Sequence, residues 1–245
     1  MKPKTQKKIT QLLNQAIKIH KQHPEKAATL YQEILDLNPN EADALNLLGM
    51  IVFSKHQTNK ALKLHLAAVK NKSGIPDFHN NLGTVYVQLG QLENAFEQFT
   101  LALKIEPNYI PAISNIGNIY QKQEQFDKAI EQYQKALTID PALTEASRNI
   151  ATIQWQLNRG EEAELLYLSA MKDQPKDAQY YHHIANIYIS QKRYIEADQA
   201  FKQGIKLDPI KAELHHCYGT LQLSLENFEE GWRNYSYGSK VSVDP

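Results

Sequence analysis

Two imidazole clusters, His182-His183 and His215-His216, the second followed by Cys217, are the residues here whose types could do chemistry. Nitrogen and sulfur ligands of this kind hold zinc, which needs three or four of them converging at about 2.0–2.3 Å. Neither a pair of histidines four apart nor a CxxC occurs in the chain. Cys217 beside His216 is no nucleophile–base pair, because neighbours in sequence do not face each other on a helix. There is no GxGxxG, P-loop, GxSxG or HExxH. The expectation is a chain without catalytic residues, cofactor or metal, whose imidazoles contact a bound partner.

Asparagine gives a more regular signal. HNNLGTVY at 79–86 returns as ISNIGNIY at 113–120, SRNIATIQ at 147–154 and YHHIANIY at 181–188, each copy 34 residues after the last. Asparagine is a poor helix former because its side chain competes for backbone hydrogen bonds. Its return inside an otherwise helical pattern therefore asks for a reason. An amide carries both a donor and an acceptor. A line of amides at constant pitch could pair with the N–H and C=O of an extended peptide without reading its sequence.

The elements that position these residues follow from the period. Pro107, Pro141, Pro175 and Pro209 are 34 apart, and Pro39 lies two periods before Pro107. With these prolines at position 32 of a unit, seven units fit: 8–41, 42–75, 76–109, 110–143, 144–177, 178–211 and 212–245. Position 8 reads Gln15, Gly49, Gly83, Gly117, Ala151, Ala185 and Gly219; position 20 is alanine in every unit until Gly231. Position 24 is aromatic except at His65. Small residues at 8 and 20 let two helices approach closely, and large neighbours fill the volume beside them. Proline cannot continue a helix. Each unit therefore reads as helix A over about positions 2–14, a tight turn, and helix B over about 15–29. One such pair cannot bury its apolar face alone, so the expected product is a single all-α solenoid of stacked pairs over 1–245.

This pattern resembles the tetratricopeptide repeat (TPR) family, best in NLGTVYVQLGQLENAFEQFTLALKIEP and NIGNIYQKQEQFDKAIEQYQKALTIDP. The resemblance implies a right-handed α-solenoid of about seven repeats whose A helices line a concave protein-binding groove. It places Asn80, Asn81, Asn115, Asn118, Arg148, Asn149, His182, His183 and Asn186 on that inner face. The asparagines are similar to the ladder lining the TPR arm of O-linked N-acetylglucosamine transferases, with NIGN at 115–118 matching at both amides and the series breaking at His183. The alternative is that the amides bond to each other. A chaperone-type carboxylate clamp is disfavoured by acids at position 2, Asp43, Asp77, Glu145 and Glu213. FEEGWRNYSYGS at 228–239 resembles the F-x-x-G-W-x-x-Y that closes TPR arms preceding bacterial glycosyltransferase domains, through Phe228, Gly231, Trp232 and Tyr235.

Bulk properties bound the function. Lys+Arg and Asp+Glu are both 27, which argues against a broad nucleic-acid-binding surface. Residues 1–26 concentrate seven lysines against Glu25, which reads as a solvated end. No apolar run is long enough to span a membrane, and MKPKTQKKI has no apolar region behind it. One cysteine precludes an internal disulfide and fits a cytoplasmic setting. The expected function is a non-catalytic scaffold that binds a protein or extended peptide along its groove. The alternative is the substrate-docking arm of a larger glycosyltransferase, continuing past Pro245. Self-association through the C-terminal repeat is a further alternative.

Overall fold

The computed structural model describes residues 3–173 and 175–241, and the chain divides into two compact units, Met1–Gln132 and Tyr133–Pro245. All regular structure among the described residues is α-helical. In the first unit α1 (Pro3–Ile19) packs on α2 (Pro24–Leu37), α3 (Ala42–Ser54) on α4 (Thr58–Asn71), and α5 (Pro76–Gln88) on α6 (Leu92–Ile105), with α7 (Ile110–Lys122) next to α6. The boundary between the units falls within α8 (Phe126–Ile139). In the second unit α9 (Thr144–Gln156) packs on α10 (Gly160–Asp173), α11 (Ala178–Ser190) on α12 (Tyr194–Leu207), and α13 (Ala212–Ser224) on α14 (Phe228–Val241). The odd-numbered helices are the A helices, and α5 also touches α3 on one side and α7 on the other directly.

The close approach expected at position 8 is present. A Cβ on Gly83 would lie 2.5 Å from the Phe99 ring, and one on Gly49 would lie 2.8 Å from the His65 ring. At Gly219 the obstacle is backbone, the Tyr235 nitrogen at 2.4 Å. Position 20 is sealed by Ala27, Ala61 and Ala95, each with 0% exposure.

The turn between helices differs from the expectation. Each B helix starts at position 17, two residues late, and in the second to seventh units position 15 takes a left-handed conformation. His56, Glu124, Asn158, Lys192 and Glu226 have φ between 57° and 63°, and Gly90 has φ 74°. The N–H of the following residue then reaches back to the carbonyl five residues earlier, as Gln91 does to Tyr86 at 2.9 Å and Arg193 to Tyr188 at 2.8 Å. This closes the A helix with a Schellman-type cap. Five of these six positions are not glycine, so composition does not mark the turn.

The first A helix also departs from the frame. Gln15 is exposed, whereas Ala16, one residue later, is fully buried with Ile9. The link from α1 to α2, residues 20–23, is one residue longer than the other A-to-B turns, and His20 Nδ1 meets the Tyr31 hydroxyl at 3.0 Å across it.

Candidate partner-binding face

In the first unit the asparagines bond to one another across repeats. Asn81 on α5 donates from Nδ2 to Oδ1 of Asn46 on α3 at 3.1 Å. Asn115 on α7 donates in the same way to Asn80 on α5 at 2.9 Å. Position 6 of one A helix thus reaches position 5 of the one before. The Asn46 oxygen also meets His65 Nδ1 at 3.0 Å. Since an amide oxygen only accepts, His65 carries its proton on Nδ1. His65 is buried on helix B, and burial lowers its imidazole from 6.5 to about 4.

This ladder uses the Nδ2 groups of Asn81 and Asn115 as donors. Among the described residues, the Oδ1 atoms of both make no further protein hydrogen bond, and neither does Nδ2 of Asn80. All three side chains are half-buried. Beside them opens a pocket of about 390 Å³, lined by Thr84 and Val87 of α5 and by Asn115, Asn118, Ile119, Gln121 and Lys122 of α7. At the equivalent positions of α3 stand Leu47, Met50 and Phe53, with Met50 40% exposed.

The position-2 acids sit at the other end of these helices, and each is engaged within its own repeat by a residue near that repeat's end. Asp77 accepts the Tyr109 hydroxyl at 2.6 Å, and Asp43 pairs with Lys72 at 3.3 Å.

In the second unit Arg148 and Asn149 lie on α9, and His182, His183 and Asn186 lie on α11. Asn149 hydrogen-bonds the Tyr133 hydroxyl. The His183 ring stacks on Tyr167, with centroids 5.1 Å apart and planes 11° from parallel, and its Nε2 lies 3.1 Å from the Gln179 amide. Lys211 bonds to the other end of that amide. Burial, then the neighbouring His182, push His183 down to about 4. The charge of Arg148 reaches both Tyr167 and His183.

His182 is buried, and its Nε2 meets the Asn186 amide nitrogen at 3.1 Å. Because Asn186 donates there, the neutral ring keeps its proton on Nδ1, which has no hydrogen-bond partner and faces Glu213 at 3.7 Å. Burial lowers the His182 pKa, and Glu213 opposes that. No group of three or more His, Cys, Asp or Glu side chains among the described residues is placed to hold a metal ion.

Several fastening residues escape sequence reasoning. His79 Nε2 meets the Ser73 carbonyl at 2.9 Å, His215 Nε2 meets the Pro209 carbonyl at 2.9 Å, and the Tyr181 hydroxyl donates to Pro175 O at 3.3 Å. All three occupy position 4 and tie their helix to position 32 of the repeat before. Recurrence of a hydrogen-bonding residue there is the only signal, and Leu45 and Ile113 break it. Arg193 makes a further tie, donating to both carboxylate oxygens of Glu164 at 3.0 and 2.9 Å. In the FxxGWxxY segment, a Cβ on Gly231 would lie 2.7 Å from Leu223 Cδ2, so glycine there is required by the contact of α14 with α13. Trp232 and Phe228 are 59% and 60% exposed. No helix among the described residues is long and apolar enough to cross a membrane.

Comparison with known proteins agrees with this architecture. Tetratricopeptide-repeat family models match residues 21–74, 110–143 and 178–211, and a TPR repeat model matches 83–124. No curated protein matches the chain. Among solved structures, a tetratricopeptide repeat protein from Parabacteroides merdae is 16% identical, with TM-score 0.77, over 97% of this chain and 94% of that one. A thermophilic TPR protein of Thermus thermophilus is 23% identical, with TM-score 0.62, over 74% of this chain and 99% of that one. The APC/C hetero-tetramer Cut9-Hcn1 supplies a third likeness, 14% identical with TM-score 0.70, over 87% of this chain and 46% of that one.

Proposed function

The chain belongs to the tetratricopeptide-repeat family, and from that premise we propose that it is a non-catalytic scaffold holding an extended segment of a partner protein against its A helices. The observation that carries this reading is the half-used amide ladder. Cross-repeat bonds consume one group of each amide and fix its rotamer, and they leave Asn81 Oδ1, Asn115 Oδ1 and Asn80 Nδ2 for another partner. Acceptors and a donor held at constant pitch beside a pocket suit a peptide backbone, whose N–H and C=O groups alternate. Preset rotamers lower the ordering cost of binding. Among the structural likenesses, Cut9-Hcn1 is a complex of two proteins, which agrees in kind with a partner-holding role.

A docking-arm role beside a glycosyltransferase keeps less support. Gly231 has its own packing reason, so that reading rests on the exposed Phe228 and Trp232. The scaffold reading is tested by selecting a display library of random 12-residue segments on the chain. Enrichment on the unaltered chain, and not on an Asn81→Leu, Asn115→Leu chain of unchanged helicity, is the expected result. Equal enrichment on both would remove the amides from the binding surface.

A further inference from the structure

We propose that the pocket between α5 and α7 takes a glutamate side chain of the bound segment, and that an apolar residue of the same segment packs on α3. This deepens the scaffold reading and rests on it. The pocket lining holds one charge, Lys122, and no carboxylate. Lys122 is exposed and makes no ion pair or hydrogen bond among the described residues. Val87 and Ile119 supply an apolar wall for methylenes, and Thr84 and Asn115 supply polar groups around it. A side chain with an aliphatic stem and an anionic tip fits that combination.

The position-2 acids lie at the far ends of these helices, and Glu124, two residues after Lys122, is not among the residues lining the pocket. Asp43 and Asp77 lie in the first turns of α3 and α5, whereas Lys122 ends α7. A 13-residue helix is about 20 Å long, so the two ends are electrostatically separate in physiological salt.

The same face changes character from helix to helix. α3 presents Leu47, Met50 and Phe53, α5 presents Asn80 and Asn81, and α7 presents Asn115 and then Lys122. Neighbouring helix axes lie about 10 Å apart, so α3 and α7 are about 20 Å apart, a span of about six extended residues. The segment that fits carries a bulky apolar residue and, about six residues on, a glutamate, with its backbone across the amides of α5. The source of the carboxylate is a side chain rather than a chain terminus, because the apolar wall needs a stem to cover it.

The test uses fluorescence polarisation with four labelled 12-residue peptides in a Ser/Thr/Gly background. Each has a leucine near one end. Three are amidated at the C-terminus and carry glutamate, glutamine or lysine six residues after the leucine. The fourth carries glutamine there and ends in a free carboxylate. The glutamate peptide should bind about tenfold tighter than the glutamine peptide at low salt, and Lys122→Glu should reverse the order in favour of lysine. Tighter binding of the free-carboxylate peptide would overturn the side-chain assignment. If all four bind alike and all are lost on Asn81→Leu, the pocket assignment fails while the groove stands. If none binds, both fail.

Discussion

His65 Nδ1 donates to Asn46 Oδ1 over 3.0 Å, and both side chains are nearly sealed from solvent, at 1% and 5% exposure. His65 stands where other repeats place Tyr or Phe, and Gly49 opens space for its ring as Gly83 does for Phe99. The site keeps an aromatic's shape and adds a hydrogen bond to the amide ladder. It also makes the fold sensitive to acid. Burial holds the folded pKa near 4, below the usual 6.5, so the unfolded chain takes up the proton first.

Stability from His65 is therefore present above pH 6.5 and is lost as pH falls from 6.5 toward 4, by roughly 3 kcal/mol in total. His183, also held at about 4, acts in the same direction over the same window. Thermal melts followed by circular dichroism at pH 7 and pH 5 should show a clear fall in Tm. His65→Phe should make that fall smaller. An unchanged fall in the variant would mean that His65 titrates without consequence.

The ladder itself is worth little to stability. Asn81→Ala removes one bond to Asn46, a net loss of about 1 kcal/mol, and regains a few tenths from alanine's helix preference. Urea unfolding should show a change under 1 kcal/mol with unaltered helicity. A loss of several kcal/mol would make the amides structural and weaken their assignment to binding.

Non-glycine residues in the left-handed turn position leave room for gain. Glu124 has φ 58° and Lys192 has φ 60°, a conformation that costs an ordinary residue about 1 kcal/mol and glycine much less. Glu124→Gly and Lys192→Gly should each raise Tm by about 2–4 °C. Asn158→Gly should gain less, because asparagine tolerates this region. A drop in Tm for the first two would mean that their side chains hold the turn.

The close approaches should rank by what the new methyl meets. Gly83→Ala pushes on the Phe99 ring at 2.5 Å and should cost about 2 kcal/mol, much of it recovered by adding Phe99→Leu. Gly219→Ala meets the Tyr235 backbone at 2.4 Å and should cost more, with no side-chain change on Tyr235 able to restore it. Denaturant midpoints of the two single variants and the Gly83 double variant settle the order.

Much of this architecture was legible because packing repeats strictly. Gly49, Gly83 and Gly219 face a large side chain or a close backbone, and the alanines of position 20 are buried. The B-helix start was not legible, because its signal is a left-handed residue filled by His56, Glu124 or Lys192 instead of glycine. The shift from Gln15 to Ala16 was hidden because α1 is polar on most sides and its A-to-B link is a residue longer. The asparagines announced a shared face by their 34-residue period, but their bonds join residues 35 apart, Asn46 to Asn81 and Asn80 to Asn115. That offset follows from how neighbouring A helices lean on each other, which spacing alone does not express. The ties of His79, Tyr181 and His215 were missed because the position carries different residue types from repeat to repeat.

The most direct test of the binding face is hydrogen–deuterium exchange of the chain with and without its best-selected 12-residue segment. Added protection should concentrate on α5 and α7, Pro76–Gln88 and Ile110–Lys122, and should vanish in the Asn81→Leu, Asn115→Leu chain. Protection confined to the B helices, or unchanged by those substitutions, would contradict an A-helix binding face.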